Sequence, residues 1–141
     1  MLRSITCLVV VMAVACGGVG KPAPEPQPDT VRAPSNPAIH VTAPAVDAIV
    51  SSPLVVTGEA RGTWFFEATF PVTLLDADGK PIVSGYAQAQ GEWMTEQMVP
   101  FKTELVFATP SSANGTLVLE KANPSDLPEH DAEVRVPVRF R

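Results

Sequence analysis

The chain has 141 residues, with 10 Lys and Arg against 15 Asp and Glu, a formal net charge of −5, 2 Cys and 15 Pro. That length suits one compact domain with a small core. The acidic balance, with no concentrated basic stretch, excludes a nucleic-acid-binding surface, which needs clustered Lys and Arg to displace counterions.

The chain begins like an export signal. Arg3 supplies a positive charge, and residues 5–15 (Ile-Thr-Cys-Leu-Val-Val-Val-Met-Ala-Val-Ala) form an uncharged apolar run. Such a run is too short to span a bilayer core, which needs roughly 20 apolar residues in a helix, so it reads as a cleavable signal peptide over residues 1–15. The segment Ala13-Val14-Ala15-Cys16 resembles the lipobox of bacterial lipoproteins, and the resemblance implies cleavage before Cys16 and lipidation of its thiol. A plain secretory signal with an incidental cysteine is the alternative. Cysteine usage favours the lipobox: Cys7 lies in the discarded segment, which leaves Cys16 without an internal disulfide partner in an oxidising compartment. The two or three acyl chains of such an amino terminus hold a membrane firmly, where one chain binds only marginally. The expected location is therefore exported and lipid-anchored to a bacterial membrane, facing the periplasm or the cell exterior.

Residues 16–37 read as a tether. Pro22, Pro24, Pro26, Pro28, Pro34 and Pro37 punctuate a stretch with almost no large apolar residue, a composition that cannot offset chain entropy by burial. Alternating X-Pro units favour extended polyproline II at roughly 3 Å per residue, which makes the segment a spacer. A proline-rich recognition ligand is the less favoured reading of the same residues.

Residues 38–141 read as the folded domain. Leu54, Val56, Gly58 and Ala60 alternate with Val55, Thr57, Glu59 and Arg61; Phe66, Ala68, Phe70, Val72 and Leu74 continue the pattern, as do Phe101, Thr103, Leu105 and Phe107, and Val134, Val136, Val138 and Phe140. Period two is the signature of strands with one buried face. Shorter strands fit residues 39–43, 82–88 and 115–122, and no window shows a helical period. The Asp78-Gly79 and Asn114-Gly115 pairs are hairpin signals. About seven short strands with regular turns predict an all-β, two-sheet sandwich. Pro71 and Pro137 fall inside strands and call for an unpaired side nearby.

Several motifs together carry a family resemblance. They are Pro53-Leu54-Val55-Val56-Thr57-Gly58-Glu59-Ala60-Arg61-Gly62, Trp64-Phe65-Phe66-Glu67, Phe70-Pro71-Val72, Leu75-Asp76-Ala77-Asp78-Gly79, Gly91-Glu92-Trp93-Met94, Val99-Pro100-Phe101, Leu117-Val118-Leu119-Glu120-Lys121, Asn123-Pro124-Ser125 and Val136-Pro137-Val138-Arg139-Phe140. This region, residues 39–140, resembles the bacterial spore-germination immunoglobulin-like domain family. The resemblance implies an immunoglobulin-like sandwich of exported bacterial proteins, without known catalytic residues and without a settled ligand. Asp126 and His130 depart from the glycine and asparagine expected at those places.

No catalytic constellation emerges. His40 and His130 are far apart and lack the partners of a zinc site, and no nucleophile turn or phosphate-binding glycine loop occurs. Asp76-Ala77-Asp78 resembles the opening of a calcium loop, but its twelfth position is Ala87 instead of glutamate. The reading is thus a non-enzyme without a cofactor. Candidate contact residues are Trp64, Phe65 and Trp93, with core packing of both tryptophans as the favoured alternative. Residues 123–131 supply oxygens from Ser125, Asp126, Glu129 and Asp131, which leaves calcium conceivable and a solvated turn simpler. The expected role is a membrane-anchored interaction or structural module that docks another envelope protein. The runner-up is a glycan-binding module for peptidoglycan or exopolysaccharide using Trp64 and Trp93.

Overall fold

A computed structural model describes residues 36–141. The signal peptide, Cys16 and nearly all of the tether lie outside the described residues. Among the described residues, the chain forms eight strands and two single 3₁₀ turns: β1 (Ile39–Ala43), β2 (Ala48–Val50), β3 (Leu54–Arg61), β4 (Thr69–Asp76), β5 (Pro81–Ala89), β6 (Met98–Leu105), β7 (Asn114–Glu120) and β8 (Glu133–Phe140), with the turns at Gly62–Trp64 and Pro128–His130.

Hydrogen bonding runs through all eight strands in the order β1-β3-β6-β5-β4-β7-β8-β2. The strands β5 and β6, however, share only two register pairs, Gln88 with Lys102 and Ala89 with Phe101. The ladder bends over at that corner, and the layer β1-β3-β6 faces the layer β5-β4-β7-β8-β2. Phe70 of β4 meets Phe101 of β6 edge-to-face across the interior, with ring centroids 5.0 Å apart. The molecule is therefore the all-β sandwich the alternation predicts, with its layers joined at one corner.

The predicted inward sets of β3 and β8 are all buried, and the residues between them are mostly exposed. Strand β7, hydrogen-bonded on both sides, buries Leu117, Val118 and Leu119 in succession. The eighth strand is β2, whose three residues are too few to show a period. It pairs in parallel with β8, and Asp47 secures the junction by donating its N–H to the Pro137 carbonyl at 2.8 Å and accepting from Arg139 Nε at 3.2 Å. Both strand prolines sit where a ladder starts. The β4–β7 register begins at Val72, one residue past Pro71, and the β2–β8 register begins at Val138, one residue past Pro137.

Two turn expectations separate. Asp76 to Lys80 closes the β4–β5 hairpin, with Gly79 at φ 79° and Asp76 Oδ1 accepting the N–H groups of Asp78 and Lys80, both at 2.9 Å. Asn114-Gly115 is not a hairpin turn and instead opens β7. A Cβ at Gly115 would stand 2.4 Å from the Leu75 carbonyl oxygen and 2.6 Å from the Phe140 ring, so glycine serves close approach there, not a turn.

Candidate functional site

The connections β3–β4, β5–β6 and β7–β8 gather at one end of the sandwich. Ala38 is held at this end too, where its carbonyl accepts the Arg61 N–H at 2.8 Å. Most of the exposed large apolar side chains are here: Phe66, Tyr86, Met94, Met98 and Leu127, against Ile49, Val55 and Val106 elsewhere.

The β3–β4 connection places the first two predicted contact residues in the core. A 3₁₀ turn breaks the strand alternation after Arg61, so that Trp64 and Phe65, adjacent in sequence, are both buried, at 1% and 5% exposure. Each packs edge-to-face on Phe70, with centroids at 6.4 and 5.2 Å. The Trp64 carbonyl accepts the Ala122 N–H at 3.0 Å, tying this turn to the end of β7. Trp64 is interior, in line with the core packing favoured for it over a contact role, and Phe65 is buried except where it lines a hollow beside Trp93.

Phe66 takes the opposite course. Its N–H and carbonyl pair with Thr69 at 2.9 and 3.0 Å around Glu67 (φ 49°) and Ala68 (φ 64°). Two positive φ angles in a two-residue turn match a type I′ hairpin, for which Asn-Gly is the ordinary choice. The turn starts β4 three residues later than the alternation suggests and turns the Phe66 ring outward.

Trp93 is half-buried and packs against the core from the β5–β6 loop. Its loop is clamped to the 3₁₀ turn: Gly62 donates its N–H to the Gln97 carbonyl at 3.1 Å, and Arg61 Nη1 donates to the Glu96 carbonyl at 3.1 Å. A Cβ at Gly62 would stand 1.8 Å from the Thr95 carbonyl oxygen and 2.2 Å from that of Trp93, so only glycine admits this loop. Trp93 and Met94 border an open hollow of about 370 Å³ with Phe65 at its floor. Because Trp64 is interior, the two tryptophans form no common platform.

A second depression lies between the start of β4, β5 and the end of β7. It is a groove of about 250 Å³ bordered by Phe66, Pro71, Tyr86, Ala122, Asn123 and Pro124, and Pro71 and Asn123 also border an adjoining hollow of about 530 Å³ that holds Glu120, Lys121, Asp131 and Glu133. Tyr86 is 68% exposed and Phe66 45%. Neither Tyr86 nor the groove stood among the expected contact residues. The sign was in β5, whose inward positions Gly85, Ala87 and Ala89 are small while the aromatic ring faces out.

The loop of residues 123–131 borders the groove through Asn123 and Pro124, and several of its polar atoms bond within the loop. Asn123 Nδ2 donates to the Leu127 carbonyl at 2.8 Å and to Asp131 Oδ1 at 2.7 Å. Ser125 Oγ donates to Asn123 Oδ1 at 2.6 Å and lies 2.8 Å from His130 Nδ1. Among the described residues no three His, Cys, Asp or Glu side chains stand close enough to share a metal ion. The pKa of exposed Arg135 is raised by its hydrogen bond to Glu133 at 2.6 Å.

A family model described as the immunoglobulin-like domain of bacterial spore germination matches residues 38–127, more than half of the chain. The chain belongs to this family. The match spans β1 to β7 and ends at Leu127 in the loop, while β8 beyond it completes the ladder between β7 and β2. Membership makes the sandwich an immunoglobulin-like domain and supports an interaction or structural role in a family that is generally non-catalytic. No curated protein and no solved structure matches the chain.

Proposed function

We propose that this protein is an exported bacterial lipoprotein, anchored through Cys16, whose immunoglobulin-like domain is a non-catalytic module that docks another protein of the cell envelope. The observation that carries the docking role is the gathering of Phe66, Tyr86, Met94, Met98 and Leu127 at one end of the sandwich. Aromatic and methionine side chains are enriched in interface cores, and clustered exposure of them marks contact surfaces on soluble domains. Among the described residues no helix is long and apolar enough to cross a membrane; the anchoring rests on the Ala13-Val14-Ala15-Cys16 motif. The glycan alternative was built on Trp64 and Trp93 side by side, and the burial of Trp64 removes that platform.

Two measurements test the reading separately. Cys16→Ser is expected to move the protein from the membrane fraction to the soluble fraction with its melting temperature unchanged; retention on membranes after a high-salt wash would refute the anchor. A photo-crosslinking residue at Met94 or Tyr86 is expected to capture a discrete partner in the native cell, while one at Val106, at the opposite end, captures none. Equal yields from both ends would refute a docking end.

A further inference from the structure

The groove between Phe66 and Tyr86 has the chemistry of a polyproline site. Such sites take an extended, pre-ordered strand by laying its pyrrolidine rings against exposed aromatic side chains, at low entropic cost because the ligand needs little ordering. Here both rings line one groove together with Pro71, Ala122 and Pro124. The chain carries such a ligand itself: residues 22–28 read Pro-Ala-Pro-Glu-Pro-Gln-Pro, followed by Pro34 and Pro37. We propose that the groove is the docking site for this proline-rich segment of the same chain.

Reach supports the assignment. Ala38 is bonded to Arg61, and the five residues from Arg61 to Phe66 span at most about 18 Å. Pro28 precedes Ala38 by ten residues, which extend to about 35 Å, so the run can lie in the groove with slack to turn back. The chain enters the fold at the same end as the groove, which keeps the connection short. A short linker gives an effective concentration on the order of 1 mM, so an intrinsic affinity as weak as about 1 mM already fills the groove in half of the molecules.

Docked in this way, the segment draws the domain toward its amino terminus and covers Phe66 and Tyr86. A partner using the same rings must displace it. The inference needs residues 22–28 to remain in the mature chain and does not need Cys16 to be lipidated, so the fractionation experiment above and the one below fail independently.

The test compares amide spectra of two soluble chains beginning at residue 16, both carrying Cys16→Ser, one with native prolines and one with Pro22, Pro24, Pro26 and Pro28 all changed to Ala. The expected result is a set of shift differences confined to Phe66, Tyr86, Asn123 and their neighbours, unchanged on tenfold dilution and abolished by Tyr86→Ala, with Val106 unmoved as the reporter of an intact fold. Identical spectra would overturn the proposal. Differences that fade on dilution would overturn it as well, because the occupant would then be the segment of a second copy.

Discussion

Trp64 supplies the sharpest test of how this end of the sandwich is built. The side chain is 1% exposed and lies edge-to-face on Phe70 at 6.4 Å, so Trp64→Ala removes a whole buried ring. Truncations of that kind cost about 3–5 kcal/mol, out of a total stability of about 5–15 kcal/mol for a domain. At about 4–8 °C per kcal/mol for a chain of this size, melting should fall by roughly 12 °C or more. Trp64→Phe separates two contributions. It gives up some volume, but it also removes the indole N–H, which has no hydrogen-bond partner among the described residues, and leaving such a donor buried costs about 1–3 kcal/mol. The two opposing changes should leave the Phe variant within about 1 kcal/mol of the parent. Thermal or urea melts of the three proteins read both effects. An Ala variant within about 0.5 kcal/mol of the parent, the range of surface substitutions, would refute the interior placement. A Phe variant as unstable as the Ala variant would refute the reasoning about the unpartnered N–H.

Other substitutions read other joints of the same end. Gly62→Ala should cost about 1–3 kcal/mol, the usual penalty of overpacking, and should perturb the environment of Trp93, whose carbonyl it strikes; unchanged melting and Trp93 fluorescence would contradict the clamp. Ala68→Gly relieves a left-handed residue at φ 64°, a strain of roughly 1–2 kcal/mol against an entropic cost of about 0.5–1 kcal/mol, so urea midpoints should show a gain of about 0.5–1 kcal/mol and a loss would contradict the turn. Asn123→Ala removes the donor that serves both Leu127 and Asp131 and should speed hydrogen exchange across residues 123–131 while changing global stability by only about 1 kcal/mol.

Strands whose two faces meet different surroundings are legible in sequence, because burial then alternates residue by residue. This is why β3 and β8 follow their apolar pattern through full length. The pattern fails where a third factor intervenes. In the segment from Phe66 to Phe70 the apolar spacing continues the β4 phase backward, yet Glu67 and Ala68 take positive φ in residue types that do not advertise it. Asn114-Gly115 errs in the other direction. A pair with strong turn chemistry is drawn into β7 because its glycine lets the strand lie against the Leu75 carbonyl and the Phe140 ring, a tertiary demand that no local signal contains.

The same logic explains why the expected contact residues and the exposed ones differ. Tryptophan is over-represented at contact sites, but its large apolar area is equally useful to a small core, and the 3₁₀ turn at Gly62–Trp64 allows two consecutive aromatics to be buried where a strand with one solvent-facing side allows only one. The residues left for contact are those whose exposure the backbone enforces. Phe66 is turned out by the type I′ turn, and Tyr86 lies on the outer face of β5 while the inner face carries Gly85, Ala87 and Ala89. A strand with small residues inward and an aromatic outward inverts the pattern that core packing selects. Tyr86 is 68% exposed beside Phe66, so its ring does little for the stability of the sandwich. Under the proposed docking role the ring serves recognition, and Tyr86→Ala, expected to leave melting within about 0.5 kcal/mol of the parent, separates the two roles: a loss of several kcal/mol would return the ring to the core and refute the docking end.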